Sequence, residues 1–438
     1  MTTRREFLQQ STRLAAGASL GMALPLSVQG HVPPSDQLRT ALIGCGGMGL
    51  FDLENQLRQP GVTCLGLCDV DQKRLEDAAT RIAKLTGQRP PLYQDYRKLL
   101  ENKDLDIVVI GTPDHWHCLQ MVHACEAGKD VYVEKPMANS IGEAALMVQA
   151  ARRYGRVVQV GQQQRSGPNW QEIVRTVQSG RLGRIRHVRL WGHFDYGMGN
   201  PRVPDTTPPD HLDYDQWLGP APYVPYNASR LHGAWRHQWH YGGGLVTDWG
   251  VHLLDIPLWA MQVQGPPRWT NATGGIFVYP DRQIETADTL QVTYAFDTWT
   301  LTWEHVGGSQ IGLYGRNYGM AFIGESGTLV ANRDGWEIIP VMRDKKPLIE
   351  ALPLQKTAES NHLAHAVNFL DCVKSRQNPA CTVEQGYLAA LFAHLANISY
   401  RTDARVVWDE TTHSFGAHEA ANALITPVYR KPWTLPKV

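Results

Sequence analysis

A few short stretches of this chain combine residue types that could do chemistry. Gly44-Cys45-Gly46-Gly47-Met48-Gly49 has the G-x-G-x-x-G spacing: the first glycine permits a tight turn, the second lets backbone approach a pyrophosphate, and the third lets a helix pack on a strand. Asp69 follows at the distance where a carboxylate accepts hydrogen bonds from an adenosine ribose, although it would also serve as a cap for a helix starting near Gln72. An acidic side chain there favours NAD over NADP by repelling a 2′-phosphate, and nearby Arg74 softens that preference. Gly111-Thr112-Pro113-Asp114-His115-Trp116-His117 and Glu134-Lys135-Pro136 each end an apolar run. Asp248 and His252 stand four apart, which places both on one face of a helix.

Lys135 has a physical case of its own. Pro136 pushes it out of the helical region, so its side chain projects from a strand end, and a cis peptide is compatible with that position. Beside a cationic nicotinamide, burial and like-charge repulsion lower an ammonium's pKa, which lets the lysine polarise or deprotonate a hydroxyl as hydride leaves its carbon. The plainer use is a surface lysine paired with Glu134. A carboxylate at Asp248 would raise the pKa of His252 and fix its orientation, as a general acid/base needs, although the same spacing is common in structural helices. Asp255 reads as packing.

The elements that must position these side chains alternate from residue 38. Leu38 to Ile43, Val62 to Cys68, Ile107 to Ile110, Val131 to Val133 and Val157 to Val160 read as strands separated by helices, the first of which runs to about Gln59. This is the pattern of an α/β Rossmann domain with a parallel sheet, whose ligand sits outside the carboxyl ends of the strands. Thr112, Pro113, His115, His117, Glu134 and Lys135 therefore face the cofactor. Gly161 to Arg165 ends this region, with Gln163 assigned to the cofactor and Arg165 to the substrate. After a helix near Asn169 to Gln178, the stretches Ile185 to His193, Thr289 to Phe296 and Thr298 to His305 alternate in polarity. They predict an α+β C-terminal domain with a large, mainly antiparallel, open-faced sheet. His362 to Lys374 and Val383 to Ser399 return to helix and are expected to pack back on the body.

Six of the 14 tryptophans fall between residues 191 and 259, in stretches that read largely as irregular loop. Any one of them has packing as its commoner use. Together with His, Asp and Arg they describe a carbohydrate pocket, in which rings cover sugar faces and polar groups bond the hydroxyls, and Trp217 and Tyr241 are assigned to the substrate. His232, His237, His240 and Asp248 match no ligand spacing such as H-E-x-x-H, so no metal is expected.

GCGGMG, Asp69, GTPDHWH and EKP, in that order, resemble the Gfo/Idh/MocA family of sugar and polyol oxidoreductases, and the resemblance runs through the rest of the mature chain. It implies a Rossmann domain followed by an α+β domain whose sheet face serves in oligomer contact. It also implies that Asp248 and His252 match the family's D-x-x-x-H and act with Lys135 as catalytic residues, without metal. The expected cofactor is tightly bound NAD, with NADP second; the expected partners are a small sugar or glycoside and further copies of the chain.

The chain has 438 residues, with 42 Lys+Arg against 42 Asp+Glu and 43% hydrophobic residues. A nucleic-acid binder would carry a basic excess or stripe, and a disordered chain would lack this apolar content. No charge-free apolar run is long enough for a bilayer-spanning helix, so no stable membrane anchor is expected. Thr3-Arg4-Arg5-Glu6-Phe7-Leu8, followed by the weakly apolar stretch Leu14 to Leu26, resembles a twin-arginine export signal, while Gly17, Gly21 and Pro25 disfavour an amphipathic helix there. The expected organisation is a signal and arm over 1–32, a cofactor domain over 38–160, a substrate and oligomer domain over 161–359, and C-terminal helices over 360–438. Seven cysteines match no disulfide framework, and Cys64 and Cys68, expected on one side of their strand, read as core packing.

Export to a periplasm without a free NAD pool requires the bound cofactor to be recycled in place. Sugar-to-sugar oxidoreduction does this, and so does glycoside cleavage by oxidation, elimination, hydration and reduction, for which Tyr241 or His240 could supply a further acid or base. A non-catalytic carbohydrate-binding protein would need none of the proton-handling residues.

Overall fold

The structure, a computed structural model, describes residues 37–194, 198–357 and 360–438. The export-signal stretch lies outside the described residues. Six parallel strands form the first sheet: β1 (Leu38–Ile43), β2 (Val62–Cys68), β3 (Leu92–Tyr93), β4 (Ile107–Ile110), β5 (Asp130–Val133) and β6 (Val158–Val160), in the order 3-2-1-4-5-6. Every residue of β4 is buried, as befits a strand covered by helices on both faces. The covering helices are α1 (Gly47–Leu57), α2 (Gln72–Thr86), α3 (Tyr96–Leu100), α4 (Asp114–Glu126) and α5 (Ile141–Tyr154). Helix α2 is capped by Asp71, whose carboxylate accepts from the N–H groups of Lys73 and Arg74, so Asp69 does not serve as the cap.

One expectation about this sheet is corrected. Between Thr40 and Ala41 the pairing of β1 with β2 slips, so Thr40 faces Cys64 and Ala41 faces Gly66. The extra residue reverses the alternation. Cys68 thus joins the apolar layer containing Ile43, Val108 and Val131, while Cys64 packs with Leu42, Val109 and Tyr132 on the opposite face.

The second sheet has eight strands in the order β16-β13-β12-β11-β7-β10-β9-β8. These are β7 (Ile185–Gly192), β8 (Trp269–Gly275), β9 (Thr289–Ala295), β10 (Thr300–Val306), β11 (Tyr318–Gly324), β12 (Gly327–Asn332), β13 (Gly335–Pro340) and β16 (Leu352–Lys356). The short pair β14 (Met342–Arg343) and β15 (Lys346–Pro347) stands apart from it. All neighbours in the large sheet are antiparallel except β7 and β10. One face buries Leu190, Trp303, Tyr294 and Phe322 with side chains of the covering helices. The other carries a polar ladder in which His187 bonds Thr300 and Thr302, and Arg189 meets Glu304. Alternating burial in β10 records this two-sidedness.

Helices α6 (Pro168–Gln178), α7 (Tyr214–Leu218), α8 (Val251–Ala260), α9 (Asn361–Ser375) and α10 (Val383–Thr402) complete the body. Ile173 and Val174 of α6, Leu254 of α8 and Phe392 of α10 join the core under the large sheet, while Phe369 and Leu370 of α9 join the Rossmann core. Part of the expected irregular loop is ordered: α7 is capped by Asp213, and Tyr214, Trp217, Trp235 and Tyr241 form their own cluster. The predicted helix over Leu245 to Asp255 begins instead with a π turn, Val246–Gly250, before α8. No described helix is long and apolar enough to cross a membrane.

Candidate active site

A cleft of about 570 Å³ opens at the carboxyl ends of the first sheet and is closed by residues from the second half of the chain. The glycine-rich turn fits a dinucleotide. Gly44 has φ +90°, and a Cβ there would lie 2.6 Å from the backbone nitrogen of Thr112. A Cβ on Gly49 would strike the carbonyl oxygen of Gly44 at 2.7 Å, whereas one on Gly47 meets nothing, so that glycine fronts the open cleft. Gly46 is the N-cap of helix α1 and offers no side-chain cap, leaving the first N–H groups of the helix for an anionic ligand.

Asp69 lines the cleft at the end of β2, and its two carboxylate oxygens accept from Cys45 N at 2.7 Å and Asp71 N at 2.9 Å. These bonds orient it while leaving lone pairs for ribose hydroxyls. Burial raises its pKa, and the two N–H donors and Arg74 oppose the shift. Met48, Thr112, Pro113, His117, Glu134 and Gln163 also line the cleft. His117 ties two strand ends together, with Nδ1 2.9 Å from the Pro136 carbonyl and Nε2 2.9 Å from that of Thr112. Burial holds its pKa down at about 4, so the ring is neutral and donates to one carbonyl at a time. Glu134 accepts from Gln163 Nε2 at 2.9 Å. Burial raises both its carboxyl and that of neighbouring Asp52.

The reactive end is organised around Asp248. Lys135, whose bond to Pro136 is cis, sends Nζ to Asp248 Oδ1 at 2.7 Å and to the Asp248 carbonyl at 3.1 Å. Arg236 Nε meets the same Oδ1 at 3.1 Å. The π turn carries Asp248 out of the α-helical stagger, and its carboxylate is bonded to these cations rather than to His252. Burial would raise the Asp248 pKa, but Lys135 and Arg236 outweigh it and hold the group well below the usual aspartate range. Burial likewise lowers the Lys135 ammonium, and Asp248 and Glu134 reverse that to a net upward shift. His252 departs from expectation: burial, then the charges of Lys135 and Arg333, keep its pKa well down despite Asp248. Its Nδ1 is buried without a hydrogen-bond partner in the protein.

Several predicted site residues lie elsewhere. Arg165 is buried in a bidentate pair with Asp255, at 2.7–2.9 Å, and fixes the turn after β6 to α8 rather than facing the cleft. His115 packs between Trp217 and Tyr241 and meets the Trp217 carbonyl at 3.1 Å, so it braces the loop. Tyr241, 1% exposed, is spent in the same aromatic cluster, and only Trp217 of that cluster's predicted substrate residues borders the cleft. His240 lines a separate hollow with Trp239 and Arg401. Asp114, Arg236, Trp249, Arg333 and His362 border the cleft and were not singled out as site residues from the sequence. Asp114 sat inside a noted motif; Arg333 and His362 carry no local signal. Loop and Rossmann unit are joined by His232 Nε2, 3.0 Å from Asp71 Oδ2. No convergence of three or more His, Cys, Asp or Glu side chains suited to a metal occurs among the described residues.

Comparison with known proteins agrees with this architecture. The profile of the oxidoreductase family NAD-binding Rossmann fold matches residues 38–162, and that of the family's C-terminal alpha/beta domain matches residues 167–435. An uncharacterised oxidoreductase, YrbE, of Bacillus subtilis is 23% identical over 83% of this chain and 94% of its own length. A glycosyl hydrolase family 109 protein of Shewanella baltica is 31% identical over 166 residues, covering 37% of this chain and 36% of its own. A levoglucosan dehydrogenase solved with NADH and levoglucosan superposes with a TM-score of 0.66 at 18% identity, covering 85% of this chain and 99% of that one. Aldose-aldose oxidoreductase from Caulobacter crescentus, solved with glycerol, gives 0.64 at 18% identity and the same coverages. With both of its regions matched in order, the chain belongs to the Gfo/Idh/MocA oxidoreductase family and carries that family's NAD-binding Rossmann fold.

Proposed function

We propose that the protein oxidises a carbinol carbon of a sugar or glycoside using tightly bound NAD, and that the cofactor is restored in place by a second half-reaction. The observation that carries this reading is the placement of Lys135, clamped by Asp248, on the same cleft as the glycine-rich turn and His252, whose buried Nδ1 has no hydrogen-bond partner in the protein. When bound, the dinucleotide supplies a hydride acceptor at its nicotinamide ring. The side chains of the cleft supply the rest. Lys135, held as an ammonium, donates to the carbinol oxygen and stabilises the negative charge that grows there as hydride departs. His252, held neutral, accepts the hydroxyl proton. In the reverse direction the same groups return a proton to a carbonyl oxygen. Asp248 therefore acts by fixing Lys135, and Arg236 by fixing Asp248.

Two closed cycles fit this inventory. In one, a second sugar's carbonyl takes back the hydride and a proton. In the other, the new carbonyl acidifies the neighbouring C–H, the aglycone leaves, water adds across the resulting double bond, and hydride returns, so that the net reaction is hydrolysis. The partial likeness to a glycosyl hydrolase family 109 protein favours keeping the second. The stretch Thr3 to Leu8 supports export of the folded, loaded protein by the twin-arginine route. Incubating the protein with sugar pairs and with glycosides, without added cofactor, separates the cycles. Paired oxidised and reduced sugars mark the first, and free sugar plus aglycone mark the second. No turnover of either kind defeats the proposal.

A further inference from the structure

At the carboxyl end of β2 the rim of the cleft is built by a distant part of the chain. Residues 211–235 form a strap whose first residues pair with the turn that follows Asp69. Gln72 N donates to the His211 carbonyl at 2.8 Å, Asp213 N donates to the Val70 carbonyl at 3.0 Å, and Asp71 bridges Leu212. The strap's last residues return to the same turn, where His232 Nε2 donates to Asp71 Oδ2 at 3.0 Å. Asp71 is buried and its other oxygen caps α2, so the imidazole meets an acceptor already fixed in place. Between the two ends, Val70 packs against the strap's own cluster of Leu212, Tyr214, Trp217 and Trp235.

Asp71 also donates its N–H to Asp69 Oδ1 at 2.9 Å, so the strap and the carboxylate suited to a ribose share one turn. Gln216, Trp217 and His232 border the cleft together with Asp69, Arg74 and Tyr96. Arg74 reaches the glycine-rich turn, its Nη1 lying 2.7 Å from where a Cβ on Gly46 would stand. From another side Trp116 Nε1 donates to the Trp217 carbonyl at 3.0 Å, and Arg430 bonds Asp215 Oδ1 at 2.6 Å and the Gly219 carbonyl at 3.1 Å. Helix α7 is thus held between the turn after β2 and the start of α4. Those elements flank the glycine-rich turn at the nucleotide end of a Rossmann site, whereas Lys135 and Asp248 meet beyond β5.

Resting on the function proposed above, we infer that the strap walls the adenosine half of the dinucleotide site and that the His232–Asp71 bond latches it, so that residues from the second half of the chain govern how slowly the cofactor leaves. Gln216 and Trp217 then serve the cofactor rather than the sugar. A hydrogen bond to a carboxylate is among the stronger that a side chain makes, and exit past the strap requires this one to part. The protein is loaded in turn with NADH and with ADP-ribose, and release is followed after a chase with excess NAD. His232→Ala is expected to speed the release of both about tenfold or more, and His232→Gln, which keeps a donor, to lie between it and wild type. Hydrogen exchange on the nucleotide-free wild-type chain gives a second readout that needs no variant. Residues 211–235 are expected to be protected by ADP-ribose and not by nicotinamide mononucleotide. Release from His232→Ala at the wild-type rate, faster release of NADH alone, or a strap indifferent to ADP-ribose overturns the inference. A chain that holds NAD yet gives any of these results keeps the function proposed above; a chain that binds no dinucleotide defeats both.

Discussion

Lys135 and Asp248 meet twice: the ammonium donates to the side-chain oxygen at 2.7 Å and to the backbone carbonyl at 3.1 Å. One residue follows the fifth strand of the Rossmann sheet and the other sits in the π turn before α8, so this contact joins the cofactor half of the cleft to the second half of the chain. Replacing Lys135 with Met keeps the stem and removes the charge. Turnover is expected to fall by roughly 10²–10⁴-fold, the usual range for a group that handles a proton, while the dinucleotide stays bound. Steady-state rates and released-nucleotide assays check both parts.

Asp248→Asn takes away the charge that offsets burial at Lys135. The lysine pKa then falls, and the limb of the pH–rate profile belonging to it moves towards lower pH. An unmoved limb would show that Asp248 does not set the protonation of Lys135.

Two glycines in one turn give a contrast. Gly44→Ala forces a Cβ against Thr112 at positive φ, which costs about 1–3 kcal/mol in backbone strain alone and lowers folding stability. Gly47→Ala adds a Cβ that meets no neighbour, so its melting temperature without nucleotide stays near wild type while dinucleotide retention is weakened at the cleft that this residue lines. Calorimetry with and without NAD distinguishes the two.

Much of this fold is written in local signals. Apolar runs ending in Gly44, Gly111 and Glu134 marked the strand ends, and the glycine spacing marked the turn, because both depend on a few adjacent residues. The slip near Leu65 and the π turn at Asp248 were not legible, since each depends on what the neighbouring element demands. Arg165 illustrates the wider limit. Its partner Asp255 is 90 residues away, and only the folded chain shows that the guanidinium is consumed in a buried pair.

That pair is itself testable. Arg165→Met leaves Asp255 as an isolated buried charge and is expected to cost roughly 3–5 kcal/mol of stability. Combining it with Asp255→Leu recovers much of the loss, as denaturant titrations of the single and double variants would reveal.

Glu143 links stability to pH. It accepts from Tyr429 and Ser140, and burial raises its pKa to about 7 from an ordinary value of 4.5. The native state then holds a proton that the unfolded chain has released, so stability declines by about 3 kcal/mol as pH rises across that interval and levels off above it. Glu143→Gln abolishes this decline. Asp248 has the opposite sign: its depressed pKa contributes stability above the ordinary aspartate value that is lost as pH falls below it.

The most direct test of a resident, recycled cofactor is to purify the protein without added nucleotide, denature it, and identify what is released by absorbance and mass. Near-stoichiometric NAD or NADH is the predicted result. An empty protein that turns over sugars only with added NAD would contradict in-place recycling and make this an ordinary dehydrogenase.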